Sequence, residues 1–148
     1  MKRIPVYDVV KTGSIVPVFG DGEPLKGPAG AVDVLRALIG NEGLENVAVL
    51  ALNARRTVIG AQIVSTGTLT QSLAHPREVF RMAIQLNAAA IVIGHNHPSG
   101  DSTPSPDDHT LTRRLRECAE ILGIPMIDHV IIGDGSQYSY AENGWKHC

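Results

Sequence analysis

Ile91-Val92-Ile93-Gly94-His95-Asn96-His97-Pro98-Ser99-Gly100-Asp101-Ser102-Thr103-Pro104-Ser105-Pro106-Asp107-Asp108 carries an apolar run into a loop rich in proline and glycine, and sets two histidines, a serine and a carboxylate there. Residues 88–93 read as a buried β-strand. Side chains alternate along a strand, so His95 and His97, where that strand runs out, should project to one face and converge on a single ion. Two neutral imidazoles and one carboxylate suit zinc, and three protein ligands leave a fourth position for water or substrate. A structural zinc is normally closed by four side chains, usually including thiolates, so the pattern predicts a site of catalytic type.

Each half of the pattern also has an ordinary reading. Ser105-Pro106-Asp107-Asp108 is a good helix start, with a serine N-cap, proline in the first helical position and a carboxylate three residues after the cap. A lone His-x-His is often two polar residues leaving a strand. The two halves joined without a gap, with Pro and Gly holding the turn between them, point to a metal site. Capping and ligation can coexist, since a helix N-terminus favours a nearby anion and a developing oxyanion alike.

The loop resembles the JAMM (MPN/Mov34) metallopeptidase motif, in which a His-x-His pair is followed after seven residues by Ser and after two more by Asp; His95, His97, Ser105 and Asp108 match it. His75-Pro76-Arg77-Glu78, the His-Asn-His-Pro-Ser-Gly run from His95 and the pair Asp128-His129 look like the RadC family of bacterial JAB-domain proteins. The likeness covers residues 45–145. It implies a JAMM/MPN fold of cytidine-deaminase-like architecture and a zinc hydrolase site, with Zn2+ held by His95, His97 and Asp108. The family's old label of DNA repair protein is a weaker guide.

Such a hydrolase needs a base to take a proton from water and hand it to the leaving group. In the JAMM family that glutamate lies far upstream, near the first strands, and Glu42, Glu45 and Glu78 are the candidates here. Glu45 precedes the apolar strand 47–52, and RadC-like sequences carry a glutamate before a strand ending in Leu-Asp or Leu-Asn, here Leu52-Asn53. It is the chosen base, against a solvated turn glutamate as the ordinary reading. Glu78 sits better in the first turn of a helix.

Other His-x-His families fit less well. Amidohydrolases place the pair on a barrel of about 250 residues, and this chain has 148. Metallo-β-lactamase folds want Asp-His shortly after the pair. Zinc deaminases need Pro-Cys-x-x-Cys, whereas Cys118 and Cys148 stand far apart. Ligand type alone leaves Fe(II) open.

Composition bounds the rest. With 43% hydrophobic and 19% charged residues, the chain should form one globular domain with a full core. No apolar run reaches the roughly 18 residues of a membrane span, and Met1-Lys2-Arg3-Ile4-Pro5 lacks the apolar stretch of a signal peptide, so a cytoplasmic protein is expected. Two cysteines imply no disulfide framework, with Cys118 on a helix face and Cys148 exposed. A net charge of -2 gives no global pull toward nucleic acid.

Residues 1–28 read as a Gly- and Pro-rich N-terminal extension with strand-like pieces at 6–10 and 14–18, and 29–148 as the RadC-like domain. Helical spacing marks 29–39, closed by Gly40. Strand-like runs at 46–52 and 57–64 flank Asn53-Ala54-Arg55-Arg56 as a hairpin turn. A second helix starts at Pro76 with Val79, Met82, Ala83 and Leu86 on one face. A third covers 106–122 with Leu111, Leu115, Cys118 and Leu122 inward and Gly123 at its end. A strand at 126–132 pairs with 137–141. This order predicts an α/β fold of α+β type, a mixed sheet flanked by helices. At this length the helical module that some longer relatives carry is not expected.

Smaller features divide. His75 either approaches the site or only begins a helix. Asp128 and His129 lie in an apolar strand, as a satisfied structural pair or as partners of a ligand imidazole. Arg113, Arg114 and Arg116 read as a solvated face. The favoured function is a zinc-dependent metallopeptidase or isopeptidase-like hydrolase acting on a peptide or isopeptide-linked protein, with Glu45 as base and Ser105 as oxyanion donor. The rivals are a DNA-associated factor or metal-dependent nuclease, which would want a basic groove, and a non-catalytic MPN scaffold, which would lack ligands. Oligomeric state is not encoded.

Overall fold

The computed structural model describes residues 23–40, 43–67 and 74–148. The order is α1 (Gly27–Ile39), β1 (Glu45–Leu52), β2 (Val58–Gly67), α2 (Pro76–Gln85), β3 (Ala90–Asn96), α3 (Pro106–Leu122), β4 (Met126–Ile132) and β5 (Gln137–Ser139). Glu42 and the strand-like pieces at 6–10 and 14–18 lie outside the described residues.

The strands form one sheet in the order β2-β1-β3-β4-β5. β1 pairs antiparallel with β2 and β3, β3 parallel with β4, and β4 antiparallel with β5, so the mixed sheet is as expected. Among the described residues only the β3–β4 pair is parallel, and α3 is the crossover such a pair requires. The β1–β2 turn closes where the sequence puts it, with Asn53 Oδ1 accepting the N–H groups of Arg55 and Thr57, both at 3.0 Å.

Both faces of the central strands are covered, which explains why β1 and β3 are buried at every position rather than alternating. Ala48, Leu50, Leu52, Val92, Val130 and Ile132 pack on one side against Val32, Leu35 and Ile39 of α1. Val47, Val49, Ala51, Ile91 and Ile93 pack on the other against α2 and α3, through Val79, Phe80, Ala83, Leu115 and Ala119. Gly94 belongs to the α1 face, where a Cβ would stand 2.6 Å from Leu35. Leu35 fills that space instead.

Three expectations need correction. β3 runs past residue 93 to Asn96, because it is flanked on both sides: Val47 pairs with His95, and Asn96 with Ile132. His95 is therefore inside the sheet rather than beyond it. On α3, Leu111, Leu115 and Cys118 pack on the core as expected, joined by Asp108, Thr112 and Ala119, but Leu122 is 45% exposed; the helix turns two polar groups inward at its N-terminal end, where the site lies. β5 stops at Ser139, since the Ala141 N–H donates to Asp128 Oδ1 (3.1 Å) rather than to a ladder.

Candidate metal centre

Strand alternation fixes the face on which the site is built. On β1, Glu45 shares the α3-facing side with Val47; on β3, His95 shares it with Ile93. Val47 pairs with His95, so Glu45 and His97, each two residues further along antiparallel strands, arrive at the same end of the sheet. α3 then delivers Asp108 onto that end. Ser105 caps the helix, and the Asp108 N–H donates to Ser105 Oγ (3.2 Å) while Asp108 Oδ2 accepts the Ser105 N–H (2.8 Å). That reciprocal pair is a capping box, and it orients the carboxylate.

The four groups converge. His95 Nε2 lies 3.0 Å from His97 Nε2 and 3.1 Å from Asp108 Oδ1, and His97 Nε2 lies 3.2 Å from Asp108 Oδ2. Glu45 Oε1 stands further off, 3.8 Å from His95 Nε2. One ligand atom from each of the four falls within 4.8 Å of all the others. Glu45, His95 and Asp108 are buried and His97 is half-buried.

The donor set fits a divalent cation. Four-coordinate zinc at about 2.0–2.1 Å from its ligands spaces them about 3.3 Å apart, which the His95, His97 and Asp108 atoms approach and the Glu45 oxygen exceeds. The far nitrogens are held too. His97 Nδ1 meets the Asp101 carbonyl oxygen at 2.8 Å, so Nδ1 carries a proton and Nε2 is the nitrogen turned to the site. The turn holding Asp101 is closed by the Gly100 N–H on the His97 carbonyl oxygen (2.9 Å), with Gly100 at φ 87°. A Cβ there would also approach Asp134 Cβ to 3.1 Å.

Electrostatics agree with the packing. Burial raises the Glu45 carboxyl above its usual value, the neighbouring imidazoles only partly opposing it. Burial would raise Asp108 as well, but hydrogen bonds from His95 and His97 outweigh it and hold the carboxyl far below the usual range. The bond to Asp108 raises His97, with burial opposing.

Of the residues singled out in the sequence, Glu45, His95, His97 and Asp108 meet, and Ser105 is bound to Asp108. His75 is the exposed N-cap of α2, its Nδ1 accepting the Arg77 N–H at 3.2 Å. Glu78 falls in the first turn of that helix. Arg113 and Arg116 donate to the carbonyl oxygens of His147 (3.2 Å) and Cys148 (3.3 Å), and the Arg116 guanidinium lies 4.1 Å above the Trp145 ring. Cys148 is accordingly half-buried, not exposed.

Asp128 and His129 part ways. Asp128 is structural: Oδ1 accepts the His129 and Ala141 N–H groups and Oδ2 the Ser139 hydroxyl (2.7 Å). His129 instead reaches the site, with Nε2 2.7 Å from His95 Nδ1 and Nδ1 2.6 Å from Thr112 Oγ1. Thr112 carried no sequence signal of its own. Its place one turn after Asp108 is the feature that points inward.

A family model for the RadC-like JAB domain matches residues 25–145. The chain belongs to the RadC-like JAB domain family. Among curated RadC-type relatives, UPF0758 protein STH371 of Symbiobacterium thermophilum is 44% identical over 117 residues, covering 79% of this chain and 50% of the relative. A UPF0758 protein of Moorella thermoacetica is 54% identical over 98 residues, 66% of this chain and 43% of that protein. UPF0758 protein SH1266 of Staphylococcus haemolyticus is 41% identical over 127 residues, 86% and 56% respectively. The chain thus spans about half the length of the curated relatives it matches. Among the described residues no helix is long and apolar enough to cross a membrane.

Proposed function

We propose that this JAB domain is a zinc-dependent hydrolase of the metallopeptidase or isopeptidase type, cleaving an amide or isopeptide bond in a peptide or conjugated protein. One observation carries the reading: the Nε2 atoms of His95 and His97 lie 3.0 Å apart, each 3.1–3.2 Å from one oxygen of the Asp108 carboxylate, with a displaced carboxylate, Glu45, 3.8 Å from His95. Three ligands with an adjacent base are what a hydrolytic centre requires, whereas a structural centre would close with four.

His95, His97 and Asp108 would hold the cation, which would supply the positive charge that polarises a carbonyl and makes water a competent nucleophile near neutral pH. Glu45 takes the proton that water loses as its oxygen bonds to the carbonyl carbon. The same carboxyl then returns the proton to the nitrogen as the carbon–nitrogen bond breaks. Burial, by raising Glu45, brings it nearer the neutral range where such exchange is efficient. Ser105 Oγ accepts from the Asp108 N–H, so its own proton remains for an oxyanion.

The test is metal analysis of protein purified without chelator or added zinc, followed by a screen of peptide and isopeptide substrates. About one zinc per chain with cleavage that a chelator abolishes supports the reading. Stoichiometric zinc without cleavage of either bond type argues against it.

A further inference from the structure

The contacts behind His95 constrain where the protons of its ring sit. Thr112 Oγ1 lies 2.6 Å from the Asp108 main-chain carbonyl oxygen and 2.6 Å from His129 Nδ1. A carbonyl oxygen only accepts, so the single hydroxyl proton of Thr112 points at Asp108. Thr112 Oγ1 must then accept from His129, which puts a proton on His129 Nδ1. The His129 ring is fully buried, and its two nitrogens are engaged by Thr112 and His95, leaving neither for a carboxylate. A buried ring without a counter-charge is neutral. Its Nε2 is therefore bare and accepts at 2.7 Å from His95 Nδ1, which must carry a proton. His95 Nε2 is left to face His97 and Asp108.

We propose that Thr112 and His129 are positioning residues that keep a proton on Nδ1 of His95, so that Nε2 is the ring nitrogen left for a metal. The relay starts and ends on one residue: the main chain of Asp108 sets its polarity, and the side chain of Asp108 joins His95 at the site. The ring of His129 cannot turn to escape this role. It stacks on Tyr140 with centroids 5.2 Å apart and planes 19° apart, and its backbone N–H is held by Asp128 Oδ1 at 2.8 Å. Carbonyls or carboxylates commonly hold a ligand histidine in this way. Here a second imidazole does so, and an imidazole works as an acceptor only while Thr112 supplies the direction.

This inference rests on the proposed metal site, but its direct test needs no metal. Nitrogen-15 NMR of the metal-free protein at mildly alkaline pH distinguishes a bare imidazole nitrogen from a protonated one. Protons on Nδ1 of both His95 and His129 are expected; a proton on His129 Nε2 overturns the relay. Thr112→Val keeps the shape and removes the hydroxyl, freeing the His129 proton to move to Nε2. It should weaken zinc affinity by about 10–100-fold in a chelator competition, while Thr112→Ser, which keeps the hydroxyl, should bind within a few-fold of wild type. Unchanged ring protons and unchanged affinity in Thr112→Val would refute the assignment. A wild-type protein that shows the expected ring protons yet binds no zinc would overturn the hydrolase reading and leave the relay standing.

Discussion

Ser105 and Asp108 hold each other through two reciprocal hydrogen bonds, Ser105 N–H to Asp108 Oδ2 at 2.8 Å and Asp108 N–H to Ser105 Oγ at 3.2 Å. Asp108 is thus both the capping-box acid of α3 and a candidate ligand, its Oδ1 reaching His95 and its Oδ2 reaching His97. Capping and ligation are not rival readings of Ser-Pro-Asp-Asp. The cap is what aims the carboxylate.

Ser105→Ala separates the two roles by magnitude. Loss of the cap should cost about 1 kcal/mol of stability, and loss of an oxyanion donor about 10²–10³-fold in turnover. Zinc content should be unchanged, because the Ser105 main-chain N–H, which the substitution keeps, still holds Asp108 Oδ2. Melting curves and turnover measured well below the transition check both; a stability loss with full turnover would leave Ser105 a cap only.

The site was legible because its residues are close in sequence. His95, His97, Ser105 and Asp108 span one strand end and one helix start, where alternation and capping rules act locally. Glu45 was reachable only through the family likeness, since nothing local says that β1 and β3 are neighbours in antiparallel register. Thr112 and His129 were harder. A threonine inside a helix acquires meaning only when α3 and β4 pack together, and the same packing decides between the two readings of His129; Leu122 falls outside the inward stripe of α3 because that stripe follows its polar N-terminal end.

The metal-free protein should have a distinctive pH profile. Asp108 raises His97 above its ordinary value in the folded chain. The pair's contribution is therefore fully present below the unfolded value of about 6.5 and is lost as pH rises through the higher folded value. Urea midpoints of metal-free protein should fall from pH 6 toward alkaline pH, and Asp108→Asn should flatten that slope. Zinc, which needs neutral imidazoles, should reverse the trend. A metal-free midpoint that climbs with pH over this window would contradict the assignment.

His95→Ala and His97→Ala should each abolish stoichiometric zinc while leaving a folded domain, because the packed cores on both faces of the sheet do not depend on the ion. His95→Ala should be the less stable by on the order of 2 kcal/mol, since it strands the buried His129 Nε2. Circular dichroism and metal analysis read the outcome, and retained zinc in both variants would sink the site.

Nucleic acid should bind weakly. The net charge is -2, and Arg113 and Arg116 are engaged with the carbonyl oxygens of His147 and Cys148. Any duplex binding should decay steeply between low and physiological ionic strength. Titrations at the two salt concentrations decide it; tight binding that persists would favour a DNA-associated role.

Glu45→Gln distinguishes a base from a ligand. Glu45 Oε1 sits 3.8 Å from His95 Nε2, beyond the 3.0–3.2 Å that separates the atoms of His95, His97 and Asp108. Glutamine keeps the shape of this buried side chain but cannot accept a proton near neutral pH. Zinc content should stay at the wild-type level while turnover drops by about 10²–10⁴-fold. Stability of the metal-free protein should not fall, because the substitution removes a carboxyl that burial already disfavours as an anion. Loss of zinc in this variant would make Glu45 a fourth ligand and the centre a closed one, and full turnover with zinc retained would show that Glu45 is not the base.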